Sequence, residues 1–166
     1  MKTRRFVFAA LCVALLVISK EMIAALPNVE LVSFLFILIA IHFSLKDSIL
    51  IATIFCIIQA VLYGMGDWTI MYFLIWNGLV VLSYHLRFFL HNEYRAAFFS
   101  GIFGLVFGFL FSSFYLIYSV RFMWVYFLRG LPFDLLHGIT NFIIMLILYQ
   151  PFRKVFNTIK IEIDKD

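Results

Sequence analysis

The sequence predicts an all-α integral membrane protein, a compact bundle of six transmembrane helices with both termini cytoplasmic. Three observations predict it. Mean hydropathy is +1.06 and only 13% of residues are charged, where a soluble domain needs about 25% to cover its surface. Breaks in hydrophobicity divide the 166 residues into six apolar segments, about 6–25, 29–43, 48–63, 70–89, 96–118 and 133–152. They are apolar on all sides rather than alternating, which fits helices and not barrel strands. The basic residues are also one-sided. With the N-terminus inside, Lys2, Arg4, Arg5, Lys46, Arg87, Arg95, Arg153, Lys154, Lys160 and Lys165 are cytoplasmic, and only Lys20, Arg121 and Arg129 are outside, as the positive-inside rule requires.

Each element follows in order. Lys2, Arg4 and Arg5 before the apolar run 6–18 resemble a secretory signal. The nearest small-x-small cleavage pattern, Ile23-Ala24-Ala25, is poor. The run is therefore read as a first membrane helix reaching about Ala25, with Lys20 snorkelling to the far interface. The second and third segments fall short of the roughly 20 residues that cross a bilayer core. They must recruit flanking residues or end inside the protein beside a cavity. The external connections are 26–28, 64–69 and 119–132, the last holding Arg121, Trp124, Tyr126 and Arg129. Pro132 is expected to start the sixth helix. Residues 1–166 form a single membrane domain, with no soluble domain and no long repeat.

Several function classes are excluded by what the chain lacks. The formal charge of +4 is dispersed between apolar segments, which argues for topology and against nucleic acid. No Gly-x-x-x-x-Gly-Lys pattern occurs, so the chain has no phosphate loop for ATP. Cys12 and Cys56 lie inside apolar runs and imply no disulfide framework. The four histidines, His42, His85, His91 and His137, show no metal-ligand spacing with a Cys or carboxylate. No nucleophile has an adjacent base. Neither an enzyme, a metal nor a cofactor is expected. Glu30 and Asp134 both fall outside, so a self-sufficient proton-coupled carrier has no relay across the bilayer.

The embedded polar residues are concentrated on the external side: Asn28, Glu30, Gln59, Tyr63, Asp67, Trp68, Tyr72, Trp76, Trp124, Arg129, Asp134, His137 and Asn141. A charge buried in lipid costs about 2.5–3.5 kcal/mol even on the lenient insertion scale. Such groups should face one another or a wet cavity open to the outside. Asp134, His137 and Asn141 recur at helical spacing and share one face. Each residue also has a simpler reading. Trp and Tyr at helix ends form interface belts, Asp134 after Pro132 would cap a helix, and His137 or Asn141 would tie neighbouring helices together. Two small-residue patterns stand apart, Ala10-x-x-x-Ala14 in the first helix and Gly101, Gly104 and Gly108 in the fifth. Either allows close backbone approach, and ordinary packing within the bundle would explain each.

Three stretches, "AALCVALL", "LPNVELVSFLFILIAIHF" and "GLPFDLLHGITNFII", give the chain a family likeness over nearly its whole length. It resembles the substrate-binding S component of energy-coupling factor (ECF) vitamin transporters. The resemblance implies a multi-pass protein of a prokaryotic plasma membrane that captures a vitamin in an external pocket. It implies docking of Ala10 and Ala14 on a membrane coupling protein driven by two cytoplasmic ATPases, and toppling of the subunit to release its cargo inside. By position it implies a substrate site of Asn28, Trp68, Tyr72, Trp124, Arg129, Asp134, His137 and Asn141. Aromatic side chains with Arg129 and Asp134 suit a planar or amide-rich ligand. Cobalamin-like, riboflavin, pyridoxine-like and pantothenate ligands all fit that description, and the "LPNVELVS" stretch leans toward the cobalamin-like subgroup. Two alternatives are a structural six-helix membrane scaffold without transport substrate and a small membrane enzyme. A scaffold would have no need of an external cluster of Asp, His and Asn.

Overall fold

The computed structural model describes residues 2–26 and 29–164. Among them the chain is helical throughout, without strands. The helices are α1 (Lys2–Met22), α2 (Val32–His42), α3 (Leu45–Tyr63), α4 (Asp67–His85), α5 (Arg87–Leu90), α6 (Glu93–Ser112) and α7 (Val120–Asp164), with a 3-10 turn at Ser113–Ile117 before α7. Every one of these helices overlaps one of the six apolar segments, the one-turn α5 at the end of the fourth. Three spans, Leu45–Tyr63, Glu93–Ile117 and Val120–Ile163, are long and apolar enough to cross a membrane by length and composition alone.

Local chemistry sets the breaks. Ser44 caps α3 by accepting the Asp47 N–H at 3.2 Å, and Asn92 caps α6 by accepting from Tyr94 and Arg95 at 3.1 and 3.2 Å. Between α3 and α4 the chain turns at Gly64, whose φ of +78° suits a residue without Cβ. The Gly66 N–H then donates to the Thr69 hydroxyl at 3.0 Å.

The centre of the bundle is α2. All eleven of its residues are buried, so a helix apolar on every side has protein on every side. At roughly 1.5 Å per residue it is only about 16 Å long, half of a bilayer core. Around it lie α1, α3, α4, α6 and α7. Phe36 of α2 packs on Phe55 of α3 and Trp76 of α4, with ring centroids 5.5 and 5.3 Å apart. The outer surface is apolar: Phe6, Leu11, Val61, Leu74, Phe88 and Phe98 are exposed. Ser33, His42, Ser48, Gln59, Asp134, His137 and Asn141 are buried. Greasy outside and polar within is the distribution a lipid solvent selects.

The α6–α7 hairpin differs from the sequence expectation. Residues 119–132 do not form a long external loop. They are helical from Val120 onward, and the segment expected at 133–152 is the middle of one 45-residue helix that carries Pro132 and Pro151 inside it. The physical reason is aromatic packing. Tyr115 meets Phe122 and Tyr126 at 5.2 and 4.4 Å, and Phe109 meets Phe127 at 5.5 Å, so this stretch has a partner helix to lie on. Lower in the hairpin, glycines bring the backbones together. A Cβ placed on Gly104 would stand 2.8 Å from Gly138 Cα. The Gly101, Gly104 and Gly108 stripe is thus spent on packing inside the bundle. At the far end the Tyr149 hydroxyl donates to the Leu90 carbonyl at 2.7 Å, and Gln150 donates to Glu93 at 2.5 Å.

Candidate functional site

Asp134, His137 and Asn141 share one buried face of α7, with exposures of 4%, 3% and 1%. The helix begins at Val120, so Asp134 is not its cap. Its Oδ1 instead accepts the Gly108 N–H at 3.1 Å. Glycine is needed opposite, because a Cβ on Gly108 would collide with the Asp134 carboxylate. One turn on, His137 Nε2 lies 3.1 Å from Glu30 Oε1, and its ring packs edge-on against Phe107 at 5.1 Å. Glu30 Oε2 accepts the Ser33 N–H at 2.8 Å. That carboxylate thereby holds the start of α2 against α7. Asp134 Oδ2, His137 Nδ1 and both amide atoms of Asn141 have no hydrogen-bond partner among the described residues.

Above this face lies a cavity of about 660 Å³, bounded by α4, α6 and α7. Tyr72, Phe107, Phe111, Tyr126, Arg129 and Asp134 are on its wall. Arg129 has no ion pair among the described residues. A second cavity of about 440 Å³ is lined by Lys20, Gln59, Tyr63, Trp68 and Tyr72. Tyr72 is common to both. Its ring stands edge-on to Trp68 and Trp76 at 5.2 and 5.8 Å, and Gln59 is fully buried with neither amide atom in a hydrogen bond among the described residues. The first cavity lies within the range of about 300–1,000 Å³ of small-molecule sites. It combines aromatic faces for stacking, a guanidinium for an anionic or carbonyl group, and a carboxylate oxygen that accepts hydrogen bonds.

The family model described as ECF transporter, substrate-specific component, matches residues 4–149. The chain belongs to that family. Comparisons with curated proteins and with solved structures find no match. This S component is therefore a membrane-embedded, multi-pass, substrate-specific subunit of a transporter. Members of the family bind small molecules and work with a transport module. The family is a transporter class and not an enzyme class, and membership removes the motive for a scaffold reading.

The residues expected to form the substrate site of the S component separate into groups. Tyr72, Arg129 and Asp134 line the larger cavity, and Trp68 lines the smaller one beside Tyr72. His137 and Asn141 line neither. They are buried one and two turns deeper along α7 than Asp134. Trp124 also lines neither, and lies exposed against Phe109 and Phe127 at 6.4 and 5.9 Å. Asn28 lies outside the described residues. Phe107 and Phe111 are not singled out by the sequence, and Tyr126 is named there in the 119–132 connection but not in the expected site. Phe103, Phe107 and Phe111 repeat every fourth residue, the signal that marks one helix face. Ala10 and Ala14 are exposed on α1, whose opposite face buries Ala9, Cys12, Val13 and Leu16. No group of three or more His, Cys, Asp or Glu able to hold a metal occurs among the described residues.

Proposed function

We propose that this S component captures a vitamin or related micronutrient in the α4–α6–α7 cavity and delivers it to an ATP-driven coupling module. The observation that carries the proposal is the meeting of Tyr72, Arg129 and Asp134 on one cavity of about 660 Å³. Tyr72 and Phe107 offer ring faces to a planar solute, Arg129 offers five fixed donors, and Asp134 Oδ2 accepts. Trp68 and Gln59 extend the site past Tyr72 toward α3. His137 and Asn141 support the wall from beneath, and His137 does so through Glu30. The cavity's size favours riboflavin, pyridoxine-like or pantothenate ligands over a bulkier cobalamin-like one.

Delivery rests on a different face. Ala10 and Ala14 are one turn apart and exposed, so a second helix backbone could approach α1 closely there. By the positive-inside rule we read this end of α1 as cytoplasmic, within a six-span topology in a prokaryotic plasma membrane. A coupling protein and its pair of cytoplasmic ATPases would be met on that side.

Titration of the purified subunit with riboflavin, pyridoxine, pantothenate and cobalamin, followed by intrinsic tryptophan fluorescence, tests the binding half. Saturable quenching by one ligand, weakened in Tyr72→Ala and Arg129→Ala, is the expected result. If none of the four binds, or if both variants bind as the parent does, this site is not where the solute sits.

A further inference from the structure

The end of α2 opposite Glu30 opens on a cavity of another kind, about 420 Å³ in volume. Arg5 of α1, Arg87 of α5 and Lys160 of α7 converge on it. None of the three has an ion-pair partner among the described residues. The Arg87 guanidinium stacks 4.3 Å from the Tyr84 ring centroid, an arrangement that leaves its N–H edges free to donate. The carboxylate on this cavity, Asp47, is occupied by the Ser44 hydroxyl at 2.7 Å and sits in the first turn of α3, where a negative charge is favoured. His42, also on the cavity wall, is 3% exposed. Its Nδ1 is 2.8 Å from the Leu38 carbonyl, which fixes the proton there, and its Nε2 has no partner among the described residues. The cavity thus offers three cations and one buried acceptor for a hydroxyl.

An apolar groove of about 530 Å³ adjoins it. Phe8 and Ile163 belong to both. The groove runs between α1 and α7, past Val7, Leu11 and Leu15 on one wall and Val155 and Ile159 on the other. From Thr3 to Leu15 it spans roughly 18 Å of helix, close to the ~15 Å depth of one leaflet. A cationic head cavity continuous with an apolar channel of leaflet length matches one class of molecule. The geometry points to a site for an anionic phospholipid, with its phosphate between Arg5, Arg87 and Lys160, a headgroup hydroxyl on His42 Nε2, and one acyl chain in the α1–α7 groove. The bound lipid would lie beside the Ala10 and Ala14 face and complete the wall of α1.

The S component is tested in mild detergent by native mass spectrometry after exposure to equimolar phosphatidylglycerol and phosphatidylcholine. Thermal unfolding is followed in parallel with each lipid and with inorganic phosphate. Retention of phosphatidylglycerol over phosphatidylcholine by about tenfold or more is expected, the scale that several cations give at an anionic surface. Arg87→Gln with Lys160→Gln abolishes the preference. Val155→Trp, which fills the groove without touching charge, reduces retention of both lipids. Lys154→Gln, a basic residue off the cavity, changes neither. Equal retention of the two lipids by the parent overturns the site, as does an unchanged preference in the double variant. Inorganic phosphate that stabilises as much as phosphatidylglycerol would show that the groove holds no chain and would overturn the lipid assignment.

Discussion

His137 Nε2 of α7 stands 3.1 Å from Glu30 Oε1, at the threshold of α2. The two residues are 107 positions apart in sequence. This contact joins the central, wholly buried helix to the helix that carries the candidate site, and Phe107 closes over the imidazole. Interhelical hydrogen bonds of this kind in membranes average about 0.6 kcal/mol and reach about 1.7. A double-mutant cycle with Glu30→Gln and His137→Phe, read by thermal unfolding in detergent, is expected to return a coupling in that range. A coupling indistinguishable from zero would mean that the contact does not hold α2 to α7.

Glycine at 104 is predicted to be irreplaceable and glycine at 78 dispensable. A Cβ on Gly104 meets Gly138 backbone at 2.8 Å, whereas a Cβ on Gly78 meets nothing within 4 Å. Backbone cannot swing aside as a side chain does, so Gly104→Val should destabilise by about 1–3 kcal/mol, the usual cost of overpacking. Gly78→Ala should be neutral or stabilising by roughly 0.5–1 kcal/mol, through lower chain entropy in the unfolded state. Unfolding midpoints of the two variants compare them directly.

Asp134 and Asn141 share a face but are expected to respond differently. Asp134 lines the cavity and Asn141 lies below it. Loss of a charged hydrogen-bond acceptor costs about 1.5–3 kcal/mol, so Asp134→Ala should weaken solute binding by roughly tenfold or more. Asn141 has no partner for either amide atom among the described residues, and Asn141→Leu should keep affinity while raising the unfolding midpoint, since an unpaired buried amide costs about 1–3 kcal/mol. Ligand titration and unfolding of both variants separate the roles. An affinity loss in the leucine variant equal to that of the alanine variant would place Asn141 in the site.

Trp at 10 and 14 is predicted to abolish uptake by cells and leave binding by the purified subunit intact. Both positions are exposed, so larger side chains fit the free protein and obstruct only an approaching helix. Normal uptake by Ala10→Trp/Ala14→Trp would remove docking from this face.

Much of the fold was legible because lipid makes hydrophobicity nearly binary. The breaks in hydrophobicity mark off six apolar segments, and helices overlap all six, whereas burial of α2 on every side is seen only in the packed bundle. Pro132 misled. Proline favours a first helical turn, so a helix start was the local reading, yet aromatic contacts from Tyr115 to Phe122 and Tyr126 continue the helix through it. That is a tertiary effect with no local signature. The candidate site divides in the same way. The shared face of Asp134, His137 and Asn141 follows from spacing on one helix. Its partners Glu30, Phe107 and Gly108 come from two other segments, and their contacts exist only after the hairpin closes.

The central claim is that the cavity walled by Tyr72, Arg129 and Asp134 holds the transported solute. Mass spectrometry of the small molecules that co-purify with the protein from rich medium tests it most directly, with Arg129→Ala/Asp134→Ala purified in parallel. The account predicts a vitamin-class molecule in stoichiometric amount with the parent and its loss from the equally folded variant. The same molecule retained in the same amount by both would contradict it.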